Sequence, residues 1–337
     1  MHILEAEVMC MHIKQSRYKR QIALLFGAVA MLSYISVRNF PKEEETVSVV
    51  ADVNHTSVQA YLLDDSDTLV PISFRVDATT TIQDRLSLIM DYMNGTVKVD
   101  NFYPLFQQDC ELLEATVEGG TATLTFNDAF SSYDEKKELR VLEALAWSTT
   151  QFQEVDNVKM KYQDQVLTKM PVGGTPIPET LNRNIGINHF ETSTTSLYNS
   201  STITVFYTKS IGGYEFFVPK SKRIPETSPT IESVVKHVMA DVSVSSQLSQ
   251  PLYNDNIDVK DIPRIENGTL IVNVNANILD SDRSAKQKAY DALILSLSTI
   301  IGVDNIKVYV DDVVVSLHGS NEDAISVSSM TYNQIPF

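Results

Sequence analysis

Cysteine is nearly missing: this chain of 337 residues has only Cys10 and Cys110. Two thiols exclude a disulfide framework and any structural zinc site built on cysteine. Basic residues are scarce as well, 27 Lys and Arg against 43 Asp and Glu, for a net charge of −16. Nucleic-acid binding needs clustered Lys and Arg on phosphate, so that class is excluded too. The six histidines never fall at metal-ligand spacing. No H-E-x-x-H helix, G-x-S-x-G elbow or G-x-x-x-x-G-K-[ST] phosphate loop occurs. The sequence therefore indicates no catalytic residue, no cofactor-binding residue and no metal ligand.

Charge is also absent from one long run. Gln21 to Val37 reads QIALLFGAVAMLSYISV, long enough to cross a bilayer at its short limit. Lys14, Arg17, Lys19 and Arg20 precede it, while Glu43, Glu44 and Glu45 follow. The basic flank places the N-terminus in the cytoplasm and the bulk of the chain outside. Ser33 to Val37 offers no small-x-small cleavage site, and no cysteine stands just past the run for lipid attachment. The expectation is an uncleaved, single-pass signal-anchor in the cell membrane.

What remains repeats itself. Val117-Glu-Gly-Gly-Thr-Ala-Thr-Leu-Thr-Phe-Asn127 lies over Ile265-Glu-Asn-Gly-Thr-Leu-Ile-Val-Asn-Val-Asn275, and Val155-Asp-Asn-Val-Lys159 over Val303-Asp-Asn-Ile-Lys307. Both offsets are 148. Leu69-Val70-Pro71 matches Phe217-Val218-Pro219, and Thr81-Ile82-Gln83 matches Thr230-Ile231-Glu232, with a small drift in register. Blocks in one order mean a tandem duplication.

Each copy reads as the same string of elements. Alternating Val58, Ala60, Leu62 and Ile203, Val205, Tyr207 predict an opening strand, with a second at the Val-Pro pair. Ile82, Leu86, Ile89, Met90 and Met93 share one helical stripe, as do Ile231, Val234, Val235, Val238 and Val242. Thr80 with Gln83 predicts a capping box, and Ser228 a cap before Pro229. A hairpin turning at Gly119-Gly120 or Asn267-Gly268 follows. A second helix carries Leu139, Leu142, Leu145 and Ala146, or Ala289, Ala292, Leu293 and Leu297. A closing strand, Val158 to Tyr162 or Ile306 to Val310, completes each copy.

The fold class is thus α+β: two tandem copies of a small sheet with two helices, in β-β-α-β-β-α-β order, behind one transmembrane helix. The expected organisation is a cytoplasmic segment 1–20, the anchor 21–37, a stalk 38–56, copies at 57–168 and 202–317, a linker at 169–201 and a flexible tail 318–337. The last two are expected from their Gly, Pro, Asn, Ser and Thr content.

The pattern of strand, [LFV]-V-P, helix, V-x-[GN]-G-T with alternating hydrophobics, helix and V-D-N-[VI]-K resembles the GerMN domain. It covers 57–168 and 202–317. The resemblance implies a non-catalytic envelope component of sporulation or germination, whose domains are similar to ring-building modules of the mother-cell to forespore channel. Its partners would be envelope or sporulation-channel proteins, with self-association into rings, and no nucleic acid.

Several residues invite a chemical reading. Asp280-Ser281-Asp282 resembles the start of a calcium loop, but Ala285 and Asp291 stand where glycine and glutamate are needed, so helix capping is the expected role. Asp64, Asp65 and Asp67 read as a loop, and Asp311-Asp312 as a turn. His237 reads as a rim histidine, and His189 as solvated. Trp147 is expected in the core rather than on a carbohydrate-stacking surface. The competing function is binding or hydrolysis of cell-wall polymers, with Glu111, Glu114 or Asp128 as acid/base groups. Such hydrolysis needs two carboxylates across one cleft, about 5–10 Å apart.

Overall fold

The computed structural model describes residues 55–189, 200–241, 247–311, 313–315 and 324–335, all within the compact unit Glu45–Phe337. The expected anchor Gln21–Val37 lies outside the described residues. Among those described, no helix is long and apolar enough to cross a membrane.

The first copy opens with an antiparallel hairpin, β1 (His55–Leu63) and β2 (Leu69–Asp77), followed by α1 (Ile82–Met93). Leu86, Ile89, Met90 and Met93 are buried as their spacing requires. The cap is Thr81, not the expected Thr80: its side chain accepts from the Asp84 amide, and Asp84 accepts its hydroxyl in return. A four-stranded sheet follows in the order β3 (Leu112–Glu118), β4 (Thr121–Phe126), β5 (Asn157–Tyr162), β6 (Gln165–Val166). β3 pairs antiparallel with β4, and β5 pairs parallel with β4 after the crossover through α2 (Glu138–Thr149). Ala122, Leu124, Phe126, Val158 and Met160 bury one face, leaving the threonines of β4 and Lys159 on the other. Helix α2 is enclosed almost all round, except that the expected core residue Leu139 is exposed.

The second copy repeats the order: β7 (Ser201–Ile211), β8 (Tyr214–Ile224), α3 (Ile231–Met239), a short helix α4 (Pro251–Asn254), β9 (Arg264–Glu266), β10 (Thr269–Val274), α5 (Gln287–Leu297), β11 (Asn305–Val310) and β12 (Val313–Val314). β9–β10 is antiparallel and β10–β11 parallel, as in the first copy. Thr230 caps α3 by accepting from the Ser233 amide, so Ser228 is not the cap.

The expected linker and tail are corrected where the structure describes them. Both are straps that close their copies. After the first copy, Met170, Leu181, Ile187 and Asn188 are buried. Leu181 pairs with Val158 of β5, a 3₁₀ turn spans Arg183–Ile185, and the chain then enters the space between the copies. After the second, β13 (Ile325–Ser326) pairs with β11 at Ile306, a 3₁₀ turn spans Val327–Ser329, and Thr331, Tyr332 and Asn333 are buried. Loop-like composition misleads here because side chains, rather than a ladder, satisfy the backbone. Glu138 alone accepts from the amides of Gly173 (2.7 Å) and Thr175 (2.9 Å).

The copies are not beads on a string. Ile211, Phe216 and Val218 of the second copy belong to the core of the first. Asn188 donates its amide to Leu69 O (2.7 Å) and Pro219 O (2.8 Å) and accepts from Leu69 N (2.8 Å). Asn333 donates to Phe217 O (2.7 Å) and Pro71 O (2.8 Å) and accepts from Phe217 N (2.7 Å). Leu69 and Phe217, like Pro71 and Pro219, are equivalent by the offset of 148. The seam therefore has a pseudo-two-fold axis. The repeated proline acquires a physical reason: its carbonyl faces the seam, and proline leaves no N–H there without an acceptor.

Candidate functional site

The most repeated residues turn out to build joints. Gly120 O accepts from the amides of Asp156 (2.7 Å) and Asn157 (3.0 Å), while Gly268 O accepts from those of Asp304 (2.7 Å) and Asn305 (3.1 Å). Both glycines have φ of +75°, and a Cβ on either would overlap the carboxylate of Asp156 or Asp304. The V-D-N and G-T motifs are thus two halves of one contact tying the hairpin to the parallel strand. They carry architecture, and no reactive group meets there.

The acidic residues considered as acid/base groups do not converge. Glu111 precedes β3, where its amide donates to Asn127 Oδ1 and its carbonyl accepts from the Asn127 amide, while Glu114 is exposed on β3. Asp128 is exposed in a 3₁₀ turn, where its carbonyl accepts from the Tyr162 hydroxyl at 3.4 Å. Asp280 forms a turn with Arg283 and Ser284 well before α5 begins, so the expected helix cap is corrected. Asp282 accepts from the Ser284 amide and hydroxyl, and no group of three or more metal-ligating side chains occurs among the described residues. Asp311 sits in a turn at φ +50° and pairs with Lys260.

His237 Nε2 lies 3.3 Å from Glu226 on a half-exposed face of α3, away from the acids above. His189 is half-buried at the end of the first strap, beside Asn188, rather than solvated. Trp147 is in the core: its indole N–H donates to Gly186 O (2.9 Å), Tyr61 meets its edge and Arg183 covers its face. That arrangement leaves no platform for a sugar. Cys110 is buried and free, and burial pushes its thiol up to about 12, which leaves it unreactive.

Sequence reasoning missed the buried carboxylates. Burial works to raise Glu138, but hydrogen bonds from Thr175, Tyr133 and the Thr175 and Gly173 amides outweigh it and hold the carboxyl at about 2. Glu143 and Asp291 stand at the same place of the second helix in the two copies, 148 apart. Burial raises both, Glu143 against the pull of Arg140, and Asp291 to about 6. Their sealed positions, at 0% and 4% exposure, put them in the scaffold rather than at a substrate. Their one sequence signal was an acidic residue inside an apolar helix at both positions.

The described cavities are shallow and outside the repeated core. One of about 440 Å³ follows Tyr162 to Gly174, and another of about 410 Å³ lies along α3 beside His237. The second holds Ser233 and His237, whose Oγ (2.5 Å) and Nε2 (3.3 Å) both engage Glu226 Oε1. What the fold offers outward is surface: Thr121, Thr123, Thr125 and Lys159 on one sheet, Ile271, Asn273, Lys307 and Tyr309 on the other. The edge strand β3 adds Leu113, which is 59% exposed. Such faces suit protein contact and offer no centre for chemistry.

Comparison with known proteins agrees with this architecture. Residues 59–168 match the Germane family, described as sporulation and spore germination. The chain is 29% identical over 198 residues to the spore germination protein GerM of Bacillus subtilis (strain 168), an alignment covering 57% of this chain and 54% of that protein. The match therefore spans about half the length of that relative. The structure superimposes on the tandem GerMN domains of the sporulation protein GerM from Bacillus subtilis with a TM-score of 0.71 at 22% identity, over 82% of this chain and 99% of that one. At that identity the superposition establishes the fold alone. Residues 59–168 thus match the Germane family model, and the chain is similar in fold to the tandem GerMN domains of GerM.

Proposed function

We propose that this chain is a non-catalytic envelope protein of sporulation or germination, with a role related to that of GerM. In this reading residues 21–37 anchor it in the cell membrane, its N-terminus is cytoplasmic and its bulk is extracytoplasmic. It works as an assembly component, through contacts with envelope or sporulation-channel proteins or with further copies of itself. The observation that carries the reading is the sequence match to a spore germination protein, on a fold whose repeated Gly and Asp-Asn residues form a backbone joint. The open sheet faces and the β3 edge would receive partners.

The test is complementation of a deletion strain, scored by spore yield and germination. Ala substitutions of Glu111, Glu114, Asp128, His237 and Asp280 should each complement fully. A charge placed on the β4 face, as in Thr123→Glu, should abolish complementation while circular dichroism stays that of the folded protein. One folded variant among the first five with complete loss of function would instead favour an enzyme.

A further inference from the structure

Two equivalent residues meet across the seam with opposite charge. Leu63 pairs with Leu69 and bridges Tyr103, while Thr208 pairs with Phe217 and bridges Ser249. Leu63 and Thr208 are therefore equivalent, and so are the residues that follow them, Asp64 and Lys209. Lys209 Nζ lies 2.5 Å from Asp64 Oδ2, with side-chain exposures of 6% and 0%. Lys209 also reaches Ser66 Oγ (2.7 Å), Gln247 Oε1 (3.2 Å) and Asp65 (3.9 Å). Residues that a two-fold operation exchanges can touch only on the axis itself.

The asparagine bonds of the seam do not distinguish one copy from the other. Asn188 and Asn333 offer the same amide to the same carbonyl positions, so those bonds would form equally well between two identical copies. The axis differs. A pairing of two first copies would set Asp64 against Asp64, and a pairing of two second copies would set Lys209 against Lys209. Like charges brought together without water oppose association strongly.

We propose that the Asp64–Lys209 pair is the specificity determinant of the seam. It admits one copy of each kind and rejects like pairs. The partner that an opened seam fits is then the complementary copy of a second chain, giving a reciprocally exchanged dimer. In the unaltered chain the intramolecular closure dominates, because the two copies are held at high effective concentration.

Charge reversal tests this on the whole chain. D64K and K209D are prepared separately, and hydrogen exchange at the Leu69 and Phe217 amides reads seam closure. Each variant alone puts like charges on the axis, so exchange at both amides should accelerate. Mixed one to one, every intermolecular seam regains one carboxylate and one ammonium. Native mass spectrometry should then show the mixed dimer in about tenfold or greater excess over either homodimer. Asp64 also accepts from the Ser66 and Thr68 amides, so D64K disturbs its loop. K209D keeps those amide bonds, removes only the contacts that Lys209 makes with Asp64, Asp65, Ser66 and Gln247, and must open the seam by itself. Unchanged exchange in K209D, or folded variants that give no excess of the mixed dimer, would overturn the proposal.

Discussion

Asn188 and Asn333 do the same work from opposite ends of the molecule: each divides one side-chain amide between a carbonyl of the first copy and a carbonyl of the second. Both hold positive φ, +51° and +53°, a region asparagine tolerates better than other residues with a Cβ. Removing either side chain leaves buried strand groups unpaired, at about 1–3 kcal/mol each. Asn188→Ala and Asn333→Ala should each destabilise the chain by roughly 2–4 kcal/mol, read by urea unfolding. Asn→Gly at the same positions keeps the backbone unstrained and isolates the lost hydrogen bonds.

The second strap should stabilise the first copy. Tyr332 stands edge-on to Phe206 and donates to Gln59 of β1 at 3.3 Å, and the Ser73 amide of β2 donates to Asn333 O. Truncation after residue 323 should therefore lower the melting temperature read at Trp147, although that residue lies in the other copy. An unchanged Trp147 transition would mean that the strap closes its own copy only.

Acid should loosen the molecule in two places. Asp64 and Glu138 are both lowered in the fold despite burial, by Lys209 and the loop amides for Asp64 and by Thr175, Tyr133 and nearby amides for Glu138. A depressed carboxyl contributes stability above its unfolded value and loses it as pH falls. For Glu138 that window runs from 4.5 down to about 2. Glu138→Gln should be less stable at neutral pH and should lose less on acidification across that window.

Asp291 has the opposite sign. Burial raises its carboxyl from 3.8 to about 6, so the folded state holds a proton that the unfolded state releases, and stability falls as pH rises between those values. Gln287 donates to both its oxygens at 2.9 Å. Asp291→Asn should remove the penalty and stabilise the chain at pH 7 by about 1–3 kcal/mol, with little effect below pH 4.

Much of this architecture was legible in the residues, because it is local and repeated. The duplication, the two hairpin turns, the order of elements and the buried stripe of α1 follow from spacing alone. The straps were not legible. Their Pro, Gly and Asn content matches that of a linker, while their bonds reach across 119 residues from Asn188 to Leu69 and 262 from Asn333 to Pro71. A clue did exist: Ile187-Asn188 and Tyr332-Asn333 follow their copies at nearly the same distance. The G-T and V-D-N motifs were legible as a repeat, and the structure puts them against each other as a backbone joint.

The claim that two asparagine straps fuse the tandem copies into one cooperative body meets its most direct test in urea unfolding with two probes. Fluorescence of Trp147 reports the first copy alone, and circular dichroism at 222 nm reports both. In the unaltered chain the two curves should coincide, and in the N188A/N333A double variant they should separate into two transitions. Separate curves in the unaltered chain, or coincident and unshifted ones in the double variant, would contradict the account.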